Sequence, residues 1–298
     1  MANTLGLDQQ SHEEILRKER KSNSAWSKLK RNKTALLGLF AVTFMIALAV
    51  LAPVITNGKP NEIHPIDAYL KFFEKGHLLG TDEFGRDLFT RICYGARVSL
   101  LVAAGATIIG GVTGVILGLI AGYMGGIVDA VLMRIMDGVL AFPFILLSIV
   151  LMTVLGSGII NVILAIGIAE IPRFARVVRG QVLIVKKEEY CNAGRVIGIS
   201  HFRMLTHHIL PNTVSEVIVY GTLNIASAII SEAALSFLGL GIELPTASWG
   251  SILRSGRNCL NTAPHIAAVS GTFILITVIG FNLLGDGIRD VLDPKMKK

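Results

Sequence analysis

Charge and cysteine are both scarce in this 298-residue chain. Only 16% of its residues are Asp, Glu, Lys or Arg, and its thiols are limited to Cys93, Cys191 and Cys259. A soluble domain of ordinary composition carries about 25% charged residues. The three cysteines form no CxxC and no Cys/His cluster, which points to isolated small side chains rather than a metal site. There is no GxxxxGK[ST] phosphate loop, no HExxH zinc motif and no GxSxG nucleophile elbow, so nothing in the chain supplies energy or covalent chemistry. Glycine is plentiful at 31 residues but lacks a Gly-X-Y period, which excludes collagen and suits closely packed membrane helices.

What the chain does have is long apolar runs, with 52% hydrophobic residues and a mean hydropathy of +0.62. The first run, Ala35 to Ile55, is long enough to cross about 30 Å of hydrocarbon as a helix with its backbone bonds satisfied internally. Further runs at about 98–121, 139–155, 159–171, 214–238 and 266–285 bring the expected count to six. The fourth is short, and extends back through Gly156 and Gly158. An ordinary signal peptide is not expected, because a polar stretch precedes the first run and that run is about twice a typical apolar core. The formal charge of +7 is read by its placement rather than as a nucleic-acid signature.

Residues 1–33 are polar and basic, with Gln9 to Leu29 expected to form a charged helix on the membrane surface. The next unit, 34–97, holds the first span and an extracytoplasmic segment. The remainder, 98–298, forms the core, with a basic cytoplasmic segment at 172–213. Six spans with a cytoplasmic N-terminus put 20 of the 28 Lys and Arg residues inside, a positive-inside pattern with both termini cytoplasmic. Five spans would expose either the basic 172–213 segment or the basic tail, so the short fourth span is needed for this parity.

Within the second span, Gly110, Gly114, Gly118 and Gly122 recur every four residues, one small-residue face for close helix packing. Pro143 is placed to bend the third span. Glu170, Glu216 and Glu232 are the carboxylates nearest bilayer depth, where such groups are costly and often functional. Glu170 and Glu216 read as interfacial, near span ends. Glu232, beside Ser231 and Ser236, is divided between interhelical hydrogen bonding and a role in gating or the pathway. In the inside segment, Gln181 to Ile197 reads as helical, Gly198 interrupts it, and Pro211 marks the start of the next span. Such an element is either a rigid knob that receives motion from a partner or a basic loop held to anionic lipid. An inverted-repeat carrier is disfavoured, because the halves show no matched pair of broken spans.

Four blocks carry a resemblance: HLLGTDEFGRDLFTRICYGARVSL (77–100), AGYMGGIVDAVLMRIMDGVLAFP (121–143), LSFLGLG with PTASWG (235–250), and FNLLGDGIRDVLDPK (281–295). In this order they resemble the C-type inner-membrane permease subunits of bacterial ABC importers for dipeptides, oligopeptides, glutathione and nickel. The resemblance runs from the first span to the C-terminus.

The permease docking motif of that family is an EAA triplet, three residues, a glycine, nine residues and an Ile-x-Leu-Pro ending. It falls here on Asn192, Ala193 and Gly194, then Gly198, then His208 to Pro211, with Glu189 just ahead. Asn192 lacks the carboxylate, Gly194 replaces alanine, and His208 replaces isoleucine. Glu188 and Glu189 are candidates to supply the missing charge, read as lying off the face of position 192, whereas small residues at 193 and 194 are expected to let a partner approach.

The resemblance implies an all-α polytopic fold of the type I importer kind in the bacterial inner membrane, with a coupling region at Glu189, Asn192, Ala193, Gly194, Gly198 and Pro211. It also implies a B-type permease partner, two ATP-binding subunits that carry ATP and Mg2+, and an extracytoplasmic substrate-binding protein. The chain itself is expected to be no enzyme and to bind no cofactor, no metal and no nucleic acid, only membrane lipid. Short peptides are the expected cargo, with glutathione, nickel or a non-transport scaffold role as alternatives.

Overall fold

The computed structural model describes residues 32–56 and 58–292; the expected surface helix over Gln9 to Leu29 lies outside them. Regular structure among the described residues is helical, with two isolated bridges and no strand. The helices are α1 (Lys33–Ile55), α2 (Leu88–Met124), α3 (Gly126–Leu140), α4 (Phe144–Leu155), α5 (Ile159–Val185), α6 (Glu189–Val196), α7 (His201–Phe237), α8 (Trp249–Asn258) and α9 (Pro264–Leu292).

Four of these, α1, α2, α7 and α9, are long and apolar enough to cross a membrane, and α3 with α4 make a fifth if the bent pair is one span. The pair turns by 88° where Ala141, Phe142 and Pro143 separate the two helices. The cause is Pro143, which disfavours helical backbone in the residue before it. At 27 residues α5 has the length of a span but carries Glu170, Arg173, Arg176 and Arg179.

Two expected boundaries move. The second span, expected from about 98, begins at Leu88, where the Asp87 carboxylate caps the helix by accepting from the Thr90 amide at 2.7 Å. The fourth, expected to stop at 171, continues to Val185, so residues 172–185 are helix and not loop. The single helix expected over Gln181 to Ile197 is divided at Lys186 to Glu188. The stretch 239–265 between the last two spans contains α8, which opens with a reciprocal Ser248–Ser251 capping box.

Packing follows the glycines. A Cβ at Gly118 would lie 2.6 Å from the Ala175 carbonyl, and one at Gly122 would lie 2.7 Å from the Val182 Cβ, so the small-residue face of α2 lets α5 approach backbone to backbone. Gly38 does the same for α1 on α9, where a Cβ would meet the Gly280 carbonyl at 2.8 Å. The Asn32 side chain caps α1 and donates to Asp290 at 3.1 Å, tying the two helices at one end.

Candidate functional site

Three places gather the polar chemistry. The first is the segment between α1 and α2. Asp82 is buried and accepts from Arg86 Nε at 2.7 Å, with Arg91 Nε 3.4 Å away. Arg91 also donates to the Pro60 carbonyl at 3.0 Å and to Asn61 Oδ1 at 3.1 Å. Buried charges are tolerated when paired and hydrogen-bonded, and here they fix the loop onto the start of α2. His77 Nδ1 lies 2.8 Å from Asp87 Oδ1, which joins the loop to the helix cap. At the exposed rim, the hydrogen bond from Lys75 holds the Asp67 carboxyl below the usual carboxylate range.

The second place is the centre of the bundle. Glu232 of α7 is fully buried and accepts from Ser99 of α2 at 2.9 Å and from Ser236 at 2.8 Å. Ser99 in turn accepts the Trp249 amide at 3.2 Å. The Trp249 indole N–H donates to the Ile92 carbonyl at 3.2 Å, and its own carbonyl accepts from Ser270 at 2.6 Å. Glu232 thus belongs to a network that locks α8 to α2, α7 and α9, the interhelical bonding that its serine neighbours suggested. Glu216 is exposed on α7. Glu170, expected near a span end, is instead fully buried in mid-helix, with Arg173 Nη1 donating to its Oε1 at 2.9 Å.

Arg173, Arg176 and Arg179 recur every three residues on α5 and hold the bent pair. The Arg173 guanidinium stacks over the Phe144 ring at 4.7 Å, and Arg176 pairs with Asp137 at 2.8 Å. Arg179 forks onto both oxygens of Asp129 at 2.5 and 2.6 Å.

The third place is the short helix α6 and the start of α7. Glu189 is the first residue of α6; it, Asn192 and Ala193 are all exposed. Glu189 stands three residues before Asn192 in one helix and therefore shares its face, contrary to the expectation that the two diverge. Gly194 is buried, and a Cβ there would meet Met204 Cε at 2.6 Å. Gly198 takes a φ of +77°, a left-handed turn that glycine adopts freely.

Pro211 lies at the start of the regular α-helical part of α7, after a π-helical stretch at Met204–Ile209. A proline there withholds an amide from the preceding turn, and the Asn212 side chain donates to the His208 carbonyl at 2.6 Å. Around Gly198, Val196, Ile197 and Phe202 are 87%, 77% and 76% exposed, an apolar knuckle flanked by Arg195 and Arg203. Burial, with Cys191 and Glu188 adding, pushes the Tyr190 phenol above its ordinary value, so this surface presents a neutral tyrosine. The segment is anchored to the end of α2 by Lys186, which donates to the Tyr123 carbonyl at 2.6 Å, and by a 2.8 Å hydrogen bond between the Tyr123 hydroxyl and His201 Nδ1.

A bent pair of apolar helices, a long basic helix and a small exposed helix thus accompany four helices long and apolar enough to cross a membrane. Residues 114–298 match the family described as "Binding-protein-dependent transport system inner membrane component". The chain belongs to that family. Residues 22–71 separately match the N-terminal transmembrane domain of oligopeptide transport permease C. The chain is 44% identical over 277 residues to a dipeptide transport system permease protein of Alkalihalophilus pseudofirmus, covering 92% of this chain and 90% of that one. It is 43% identical over 272 residues to a glutathione transport system permease protein of Escherichia coli, covering 91% and 90%. This family member is accordingly a multi-pass inner-membrane component of a binding-protein-dependent transporter.

Three relationships escaped the sequence reading: the buried Arg91–Asp82 pair, the depth of Glu170 and Arg173, and the Glu232–Ser99–Trp249 network. The three-residue spacing of the arginines was the available signal for the second. It marks one helical face and argues against a loop.

Proposed function

We propose that the chain is one of two unlike permease subunits of an ATP-driven importer of short peptides. The observation that carries this reading is the apolar knuckle of Val196, Ile197 and Phe202 at the turn from the small helix α6 into α7, in a chain whose family works with a binding protein. In this reading α1, α2, the bent α3–α4 pair, α5, α7 and α9 are six spans with both termini cytoplasmic. The basic stretch around α6 then falls inside, in accord with the positive-inside rule.

Glu189, Asn192 and Ala193 form the exposed face offered to an ATPase subunit. Gly194, Gly198 and Pro211 shape the segment that bears it, and Glu232 is a candidate for gating through the network it holds. ATP and Mg2+ belong to two partner ATPases, and this chain binds neither. Closure of the ATPases would pull α6, and the bundle would switch between inward- and outward-facing. An extracytoplasmic binding protein delivers cargo. Glutathione is the second reading, favoured by the glutathione permease relative and by its being a short peptide itself.

Mild-detergent purification of a tagged copy from native membranes tests the assembly. A second permease and two ATPase copies are the expected companions. Recovery of the chain alone would overturn the docking assignment. Ligand screening of the binding protein then separates dipeptides from glutathione.

A further inference from the structure

Arg173 is incompletely covered in the middle of the long helix α5. It is the fifteenth of the 27 residues of α5, about 21 Å along the axis from Ile159. Its neighbours are likewise far from their helix ends. Glu170 packs at Gly110 of α2, about 21 Å from the Met124 end. Asn224 of α7, which accepts from Thr107 of α2, lies about 20 Å from the Phe237 end. In the six-span reading all three positions fall within a hydrocarbon core of about 30 Å.

The surroundings at that level are a built polar site. Thr107 of α2 donates to Asn224 Oδ1 at 3.0 Å. Tyr220 stands edge-on to Phe174 at 4.7 Å between ring centres. Glu170 is fully buried; its Oε1 takes Arg173, while its Oε2 has no hydrogen-bond partner among the described residues. The Arg173 side chain remains 39% exposed, with one side of its guanidinium on the Phe144 ring. Charged side chains within a hydrocarbon core face a bundle interior or a water-filled cavity, because lipid gives them no solvation.

We propose that Arg173 lines the translocation path and receives the free carboxylate of the passing substrate, with Glu170 as the positioning residue that holds the guanidinium. This rests on the peptide-import reading above. Dipeptides and glutathione both carry the carboxylate, so the site serves either cargo. A guanidinium has five N–H donors in a planar fork, and Glu170 occupies one through Nη1. The remaining donors can take a carboxylate from the open side. Glu170 balances the cation when no substrate is present, and the shared charge keeps the substrate contact weak enough to release.

The test uses the assembled complex, with its second permease and ATPases, in inside-out vesicles. Cys93, Cys191 and Cys259 are buried, so an R173C variant offers a charged methanethiosulfonate reagent one accessible thiol on this chain. The reagent is expected to label it. A Phe144→Cys variant keeps Arg173 and puts the thiol where the ring now lies on the guanidinium; millimolar dipeptide should slow its labelling at least fivefold, and the C-terminal amide of the same dipeptide less than twofold. Absence of labelling at position 173, or equal effects of the two peptides on the thiol at position 144, would overturn the proposal and place Arg173 against the second permease or lipid.

Uptake in proteoliposomes with the binding protein gives a second readout. R173Q should reduce it at least tenfold and R173K no more than threefold, whereas equal losses would also overturn the proposal. Wild-type uptake is read separately. If the wild-type complex imports neither dipeptide nor glutathione, the import reading falls and takes the proposal with it. If the wild type imports but the thiol is unlabelled or unprotected, only the proposal falls.

Discussion

Ser99 and Glu232 are joined across the α2–α7 interface by a 2.9 Å hydrogen bond, and the same serine oxygen accepts the Trp249 amide. Loss of the carboxylate leaves the Ser99 and Ser236 hydroxyls without their acceptor. Each such buried loss costs about 1–3 kcal/mol. Glu232→Ala should therefore lower the melting temperature of the purified chain clearly, and Glu232→Gln, which keeps one acceptor oxygen, by less than half as much. Equal shifts for the two variants would remove the hydrogen-bond account. A gating role adds a separate signature: slower uptake in Glu232→Gln beyond what its lost stability explains.

The α2–α5 contact predicts a sharp contrast between glycines. A Cβ at Gly114 would collide with Phe174 and lie 2.8 Å from the Ile171 carbonyl, whereas one at Gly138 of α3 meets nothing within 4 Å. Gly114→Ala should destabilise by about 1–3 kcal/mol through overpacking. Gly138→Ala should be neutral or stabilising by up to about 1 kcal/mol through helix propensity. Thermal unfolding in detergent reads both, and the reverse order would contradict the packing described.

At the α6 end of the bundle, fold and docking should separate. Gly198→Ala forces a side chain into a left-handed turn and is expected to cost about 1 kcal/mol. Phe202→Ala removes an exposed ring, so the melting temperature should hold while ATPase recovered by co-purification falls at least fivefold. Unchanged recovery would exclude the knuckle as the docking surface.

Acidification should loosen the outer rim in a defined direction. The Asp67 pKa is held down by Lys75, so the contribution of this pair is present above the unfolded carboxylate value of about 3.9 and is lost as pH falls through the lower folded value. Hydrogen exchange over residues 65–81 should quicken, after correction for intrinsic rates, on going from pH 5 to pH 3. Lys75→Met should abolish most of that difference.

Much of the helical framework was legible because its punctuation is local. Pro143 breaks the third apolar stretch, Pro211 marks the regular part of α7, and Gly198 turns the chain after α6; each acts through its own backbone. The four-residue glycine spacing in α2 likewise disclosed a packing face, although not that α5 would fill it. Hydropathy failed where charge is buried in pairs. Arg91 made residues 88–97 look extramembranous, yet Asp82, from outside the helix, compensates it. Glu170 and Arg173 looked like the end of a span because a linear window weighs each charge singly, whereas on α5 they satisfy one another three residues apart. The Glu232 network depends on Trp249, 150 positions from Ser99, and no local pattern announces that pairing.

The length of α2 has a mechanical consequence. Its first end is fixed to the preceding loop through Asp87 and His77, and its last to the α6 region through Tyr123, Lys186 and His201. Thirty-seven residues without a break form a strut about 55 Å long. A tilt of about 5° pivoting at one end carries the other by roughly 5 Å over that length. A force applied at the α6 end therefore arrives at the opposite end of the bundle as displacement, with no relay of side chains in between.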